Sequence, residues 1–353
     1  MVSRLNSLWR RIAWCGVAAL TGFTAPAAVA ADVDMTPTTV RMGLFTRNLA
    51  LFAAQDKGFF AKQQLKVEYL QVKSSVQQFQ SVRDGEYDVI MTSPDNVANY
   101  RVNPKNAAGG TLDVRVIMGG DYGVNLSLAA LPQYKKVTDL RGKKLAVDSP
   151  VSGFAFVLYK IMRAHGLERG KDYTIVEAGG TPKRFSALRA GEFDATLLNN
   201  GFELRAANAG HPLLAKVYDV ANPYLGGVLA ARADWLERND AVAVRLIRAL
   251  HEAARWGLDP ANREEAIAML MKQPNTPREL AEQMYNVQVT PGVGLVPDVS
   301  VDRKALRNVL QLRDEFGGFQ MKQNLSQLVT SASGLYELRY HRKALGTKAA
   351  AAQ

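Results

Sequence analysis

The chain has 353 residues, 47% of them hydrophobic, and a formal net charge of +11. That length carries enough apolar side chain for a sizeable core and suits two lobes better than one. The basic excess is scattered among acids rather than gathered into a stripe with interleaved aromatics, so nucleic acid is excluded as a partner.

Residues 1–30 read as a secretory signal peptide. Arg4, Arg10 and Arg11 form the basic segment, Ile12 to Phe23 the apolar one, and Ala28-Val29-Ala30 an A-x-A cleavage site. Cleavage after Ala30 would release the chain into the periplasm. The apolar run is too short to span a bilayer, and no second one follows. Cys15, the single cysteine, lies inside this segment behind bulky Trp14, where a lipoprotein site needs small residues. The mature chain would therefore have no thiol, which excludes disulfides, thiolate metal sites and a cysteine nucleophile.

Thr39 to Phe45 alternates and predicts a strand; Leu49 to Phe60 predicts a helix stopping at Gly58-Phe59-Phe60; Leu65 to Tyr69 alternates again. Ser74, a good N-cap, opens a helix through Val76, Phe79 and Val82 that ends at Gly85, and Asp88 to Thr92 is a short apolar strand. This β-α-β-α-β run implies right-handed crossovers and a parallel sheet. The plan then repeats. Lys144 to Val147 predicts a strand and Gly153 to Ala164 a helix. Tyr173 to Val176 predicts a second strand, Thr181-Pro182 an N-cap with Pro in the first turn, and Asp194 to Leu198 a third strand.

A motif marks both halves. Ser81-Val82-Arg83-Asp84-Gly85-Glu86-Tyr87-Asp88-Val89 recurs as Ala187-Leu188-Arg189-Ala190-Gly191-Glu192-Phe193-Asp194-Ala195. Each copy reads as helix, left-handed turn at Gly, buried aromatic, strand. Between the halves, 114–118 and 125–129 read as strands joined by Gly119 to Gly123, and Pro223 to Leu229 offers another. These two Gly-flanked stretches are expected to cross between lobes as hinges. From Ala241 onward, helical stripes such as Leu306, Val309 and Leu310 predict helices packed on the first lobe, and 346–353 predicts a disordered tail.

The expected fold is α/β: two similar lobes, each a mainly parallel sheet flanked by helices, with two hinge crossings and a ligand cleft between lobes. Lobe I takes 31–122 and returns over 223–345, and lobe II takes 123–222. Ligands of open α/β sheets sit beyond the carboxyl ends of the strands. Those ends hold Phe45, Thr46, Arg47 and Asn48; Thr92, Ser93 and Asp95; Ser149, Ser152 and Gly153; and Asn199 and Asn200. They are dense in hydroxyls and amides while the strands feeding them are apolar. Ser149 and Ser152 open a helix whose N–H groups favour an anion, or simply cap it. Arg47 is the cation best placed to pair with an anionic ligand. Tyr122 and Tyr224 lie in the presumed crossings and could stack on a planar one. His165, His211, His251 and His341 are isolated, no P-loop or G-x-S-x-G elbow occurs, and neither cofactor nor metal nor enzymatic activity is expected.

These features together resemble the substrate-binding proteins of nitrate/sulfonate/taurine-type ABC importers. The resemblance is carried by the signal segment, the helix ending Gly58-Phe59-Phe60, Leu65-Lys66-Val67-Glu68, the two G-E-aromatic-D motifs, and Asp139-Leu140-Arg141-Gly142-Lys143-Lys144-Leu145-Ala146-Val147. It implies a type II periplasmic-binding fold and a monomer that closes on a small-molecule ligand, then docks on an ABC permease in the inner membrane. The strand-end residues named above would be its site. Family ligands range over oxyanions, alkanesulfonates and thiamine-pyrimidine precursors, so the solute could be anionic or aromatic. Gly201 stands where the family often has Pro. An enzyme related to thiamine-pyrimidine synthases, or the effector domain of a regulator, would use the same lobes. The first needs a Cys-rich motif and the second a DNA-binding N-terminus, and the mature chain offers neither.

Overall fold

The computed structural model describes residues 37–330 and 333–346. The signal segment 1–30 and the tail from 347 lie outside them. The first run of elements is β1 (Thr38–Leu44), α1 (Leu49–Asp56), α2 (Phe59–Lys62), β2 (Leu65–Gln71), α3 (Ser75–Arg83), β3 (Val89–Thr92), α4 (Pro94–Val102) and β4 (Val114–Asp121). The second is β5 (Ser127–Ala130), β6 (Lys143–Val147), α5 (Gly153–Ala164), β7 (Tyr173–Glu177), α6 (Thr181–Arg189), β8 (Ala195–Leu198), α7 (Phe202–Asn208) and β9 (Leu213–Lys216). The chain then returns through β10 (Gly227–Arg232), α8 (Ala233–Arg238), α9 (Asp240–Leu258), α10 (Arg263–Met271), α11 (Arg278–Val289), α12 (Arg303–Glu315), α13 (Leu325–Leu328) and α14 (Leu338–Leu345).

The strands form two five-stranded sheets of the same plan, ordered β2-β1-β3-β10-β4 and β7-β6-β8-β5-β9. In each, three parallel strands are followed by one antiparallel strand that comes directly after a crossing: β10 runs against β3 and β4, and β5 against β8 and β9. This is the expected α/β plan of two like-built sheets flanked by helices. The repeated motif works as its residues require. Gly85 and Gly191 take φ of 74° and 73°, a region that costs a side chain, while Tyr87 and Phe193 turn inward. Tyr87 lies flat against Gly43 in β1, where any Cβ would enter its ring.

Several boundaries differ from the sequence reading. Gly180, not Thr181, caps α6, and β10 begins at Gly227 rather than Pro223. The helices α4 and α7 occupy stretches read as polar loop ends, since Pro94 and the left-handed Gly201 start a helix as readily as they end a strand.

The C-terminal helices do not all pack on the first lobe. The buried face of α9 (Val242, Leu246, Ile247, Leu250, Ala253) covers α1 and one face of the first sheet. By contrast, α12 packs on both α4 and α5. Its Leu306, Val309 and Leu310 join an apolar cluster that continues from Phe79 and Tyr100 beside the first sheet to Leu145 of β6 and Phe156 of α5. Lys160 of α5 bonds Glu315 at 2.8 Å, and Arg163 of α5 stacks on Phe316. The two sheets are thus tied by a third element as well as by the two crossings, and a pocket opens between them.

Candidate functional site

The pocket opens where the carboxyl ends of β1, β3, β6 and β8 face one another, with an empty volume of about 670 Å³ including its mouth. Phe45, Thr46, Asn48, Thr92, Ser93 and Asn96 line it from the first half, with Asp148, Ser152, Asn199 and Asn200 opposite. Leu51, Met91, Asp121, Phe154, Thr181, Arg184, Gly226 and Gly227 complete the wall. Apolar surface with a few convergent polar groups is what a small-solute site offers.

Direct bonds bridge the two walls. Asn200 Nδ2 donates to Thr46 Oγ1 at 2.8 Å, Ser75 N–H to Asp148 Oδ2 at 3.0 Å, and Gly153 N–H to Asn96 Oδ1 at 3.1 Å. Gly153 must be glycine here, since a Cβ would enter Ser93 and Asp95 of the facing wall. Behind this seam lies Arg313, fully buried. It donates to Asp95 Oδ2 at 2.9 Å and Asn96 Oδ1 at 3.1 Å on one side and to the Val151 carbonyl at 2.8 Å on the other. Asp95 also accepts from Ser93 Oγ at 2.6 Å, so Arg313 orients two lining residues without touching the pocket.

Of the residues singled out from sequence, Phe45, Thr46, Asn48, Thr92, Ser93, Ser152, Asn199 and Asn200 line the pocket. Arg47 does not: its guanidinium stacks 4.2 Å over Phe52 and 5.3 Å from the Tyr69 ring. Asp95 and Gly153 belong to the seam, and Ser149 is buried behind the wall. Tyr224 packs its ring on Gly123, and Tyr122 bonds through its backbone to Gly294 and Tyr218, so neither faces the pocket.

Among the charged groups of the wall, Arg184 was not singled out from sequence. Arg184 is fully buried, and burial lowers its pKa, yet all its bonds run to neutral groups: Thr196 Oγ1 at 2.9 Å, the Gly179 and Leu197 carbonyls at 2.6 and 3.0 Å, and Thr181 Oγ1 at 3.3 Å. Asp121 accepts from Gly123 N–H at 2.9 Å, Asn48 Nδ2 at 3.2 Å and the Gly227 N–H, and burial raises its pKa despite them. Asp148 accepts from Ser152 Oγ at 2.7 Å besides Ser75.

Next to the wall, Glu203 is fully enclosed and its carboxyl is pushed up to about 8 by burial, against bonds from Asn125 Nδ2 and Gly201 N–H. Its folded pKa lies above the unfolded one, so the native state holds the proton more tightly. Stability should therefore fall as pH rises from about 4.5 towards 8. Glu203→Gln is expected to flatten that fall, read as urea-unfolding free energies across this window; an unchanged slope would assign the dependence elsewhere.

Residues 34–271 match the model of the NMT1-like family. No curated protein matches the chain by sequence. Among solved structures, the periplasmic nitrate-binding protein NrtA from Synechocystis PCC 6803 superposes with a TM-score of 0.73 at 16% identity, over 88% of this chain and 89% of that one. The alkanesulfonate-binding protein SsuA from Xanthomonas axonopodis pv. citri, bound to MOPS, gives 0.66 at 16% over 82% and 96%. The Candida albicans CA3427 gene product, of generic periplasmic-binding-protein fold, gives 0.65 at 13% over 85% and 99%. At these identities the likeness is one of fold.

Proposed function

This chain belongs to the NMT1-like family, and from that premise we propose that it is an extracytoplasmic solute-binding protein. It captures a small polar solute in the pocket between the sheets and delivers it to the permease of an ABC importer. The observation that carries this reading is the pocket itself: strand ends from two like-built halves converge on one space, and hydrogen bonds close the walls around it. Solved neighbours named for binding nitrate and alkanesulfonate support a carrier rather than a catalyst. In this reading residues 1–30 direct export to the periplasm, and the mature protein acts as a monomer. The halves 31–122 with 223–345 and 123–222 move about the two crossings, and the solute favours the closed form by binding it more tightly than the open one. Phe45, Thr46, Asn48, Thr92, Ser93, Ser152, Asn199 and Asn200 contact the solute.

Mass spectrometry of small molecules released by heating natively purified mature protein tests it. One polar compound is expected at close to one per chain, recovered chemically unchanged after prolonged incubation. Conversion of that compound by the protein would make it an enzyme and end the proposal.

A further inference from the structure

We propose that the solute is recognised as a hydrogen-bond donor, through N–H groups on a neutral or cationic flat body, and that the pocket rejects oxyanions. This rests on the solute-binding reading and deepens it. An oxyanion site is served best by a cation or by helix N–H groups free to face the ligand, and here Arg184 and the capping N–H groups of α1 and α5 are engaged within the protein. Arg184, the one cation lining the pocket among the described residues, directs its N–H groups to two carbonyls and two threonine hydroxyls. Helix N-termini usually serve an anion through their free N–H groups. At α1, Leu49 N–H bonds Gln288 and Leu51 N–H bonds Asn48; at α5, Gly153 N–H bonds Asn96 and Ala155 N–H bonds Ser152. Arg47, the other cation near the β1 end, is stacked on Phe52 outside the wall.

Acceptors, by contrast, are in excess. Two buried carboxylates line the space, Asp121 from the first half and Asp148 from the second. Among the described residues Asp148 takes two protein donors, fewer than a carboxylate accommodates. Asn200 spends its Nδ2 on Thr46, which leaves its Oδ1 buried with no partner among the described residues. A buried acceptor without a donor is costly, and a ligand N–H removes that cost. A monoanion would instead meet two carboxylates, with only an engaged guanidinium to offset them. The apolar part of the wall, Phe45, Leu51, Met91 and Phe154, suits a flat ring bearing the donor group.

Three ligands on one skeleton separate the possibilities: benzamidinium (cationic donor), benzamide (neutral donor) and benzenesulfonate (anion), with sodium nitrate as a second anion. Each is titrated into the solute-stripped mature protein by thermal shift and calorimetry. Saturable binding of benzamidinium, benzamide or both is expected, and none of benzenesulfonate or nitrate. Asp148→Asn should weaken donor binding about tenfold or more, the scale of a hydrogen bond to a charged group. The double variant Asp121→Asn/Asp148→Asn should weaken it further, and the single variant still decides the matter if the double one does not fold. Anion binding alone, or donor binding indifferent to Asp148→Asn, overturns the proposal while the solute-binding reading stands. Silence from all four ligands, with nothing co-purifying, brings down both.

Discussion

Replacing Arg313 by Met is expected to lower the unfolding free energy by about 3–5 kcal/mol, the usual cost of stranding one partner of a buried ion pair. Both side chains of the Arg313–Asp95 pair are shielded, 0% and 1% exposed, so solvent screening gives no discount. Losing the guanidinium leaves Asp95 with Ser93 Oγ as its remaining side-chain donor and the Val151 carbonyl without this donor. The aliphatic stem of Met still fills the space over Phe156, where the Arg313 guanidinium now stacks at 4.5 Å, so the loss reports charge and hydrogen bonding rather than a void. Adding Asp95→Asn should recover part of it, because the uncompensated carboxylate is then gone. Guanidinium chloride unfolding of the two variants beside the unaltered protein checks this. A loss below about 1 kcal/mol would mean that water reaches the pair, as at an exposed bridge.

Gly226→Val should be the most damaging single change at the crossings, costing about 3 kcal/mol, the upper end for overpacking. The two crossings run backbone against backbone. Any Cβ at Gly226 enters the Cα and N of Gly123, and backbone on both sides has no rotamer with which to yield. Gly226 N–H also bonds the Asp121 carbonyl at 2.9 Å, so parting the strands pulls on a residue of the pocket wall. Loss of solute retention and of stability should therefore appear together. Gly85→Ala is the control: its φ of 74° is unfavourable for alanine, but nothing lies within 4 Å of the added methyl, so about 1 kcal/mol is expected with retention intact. Equal effects at the two glycines would show that the crossings are not tightly packed.

Much of this architecture was legible because it is written twice. The G-E-aromatic-D motif, the Ser74 cap and the Gly153–Ala164 helix place three parallel strands in each half, and the strand ends then point to eight of the residues that line the pocket. What escaped were the partners that only packing reveals. Nothing local in Arg47 announces that Phe52 and Tyr69 will hold it away from the pocket. Arg184 and Arg313 did leave a trace: Arg184 shares the buried face of α6 with Thr181, Ala187 and Leu188, and Arg313 continues the stripe Leu306, Val309, Leu310. A charge on the apolar face of a helix must find buried partners, and that periodicity was the available signal. The double anchoring of α12 had no such trace, since its stripe serves either half equally well.

The order of strands in the two sheets has a consequence for assembly. Every plank of the second sheet comes from the unbroken stretch between Ser127 and Lys216, whereas the first lacks its fourth plank until Gly227–Arg232 slots between β3 and β4. A chain emerging N-terminus first therefore has its later half ready to zip up while the earlier half still shows two raw edges. Those edges, left waiting, are where strangers would stick, and a helper that shields nascent chains would find its work there.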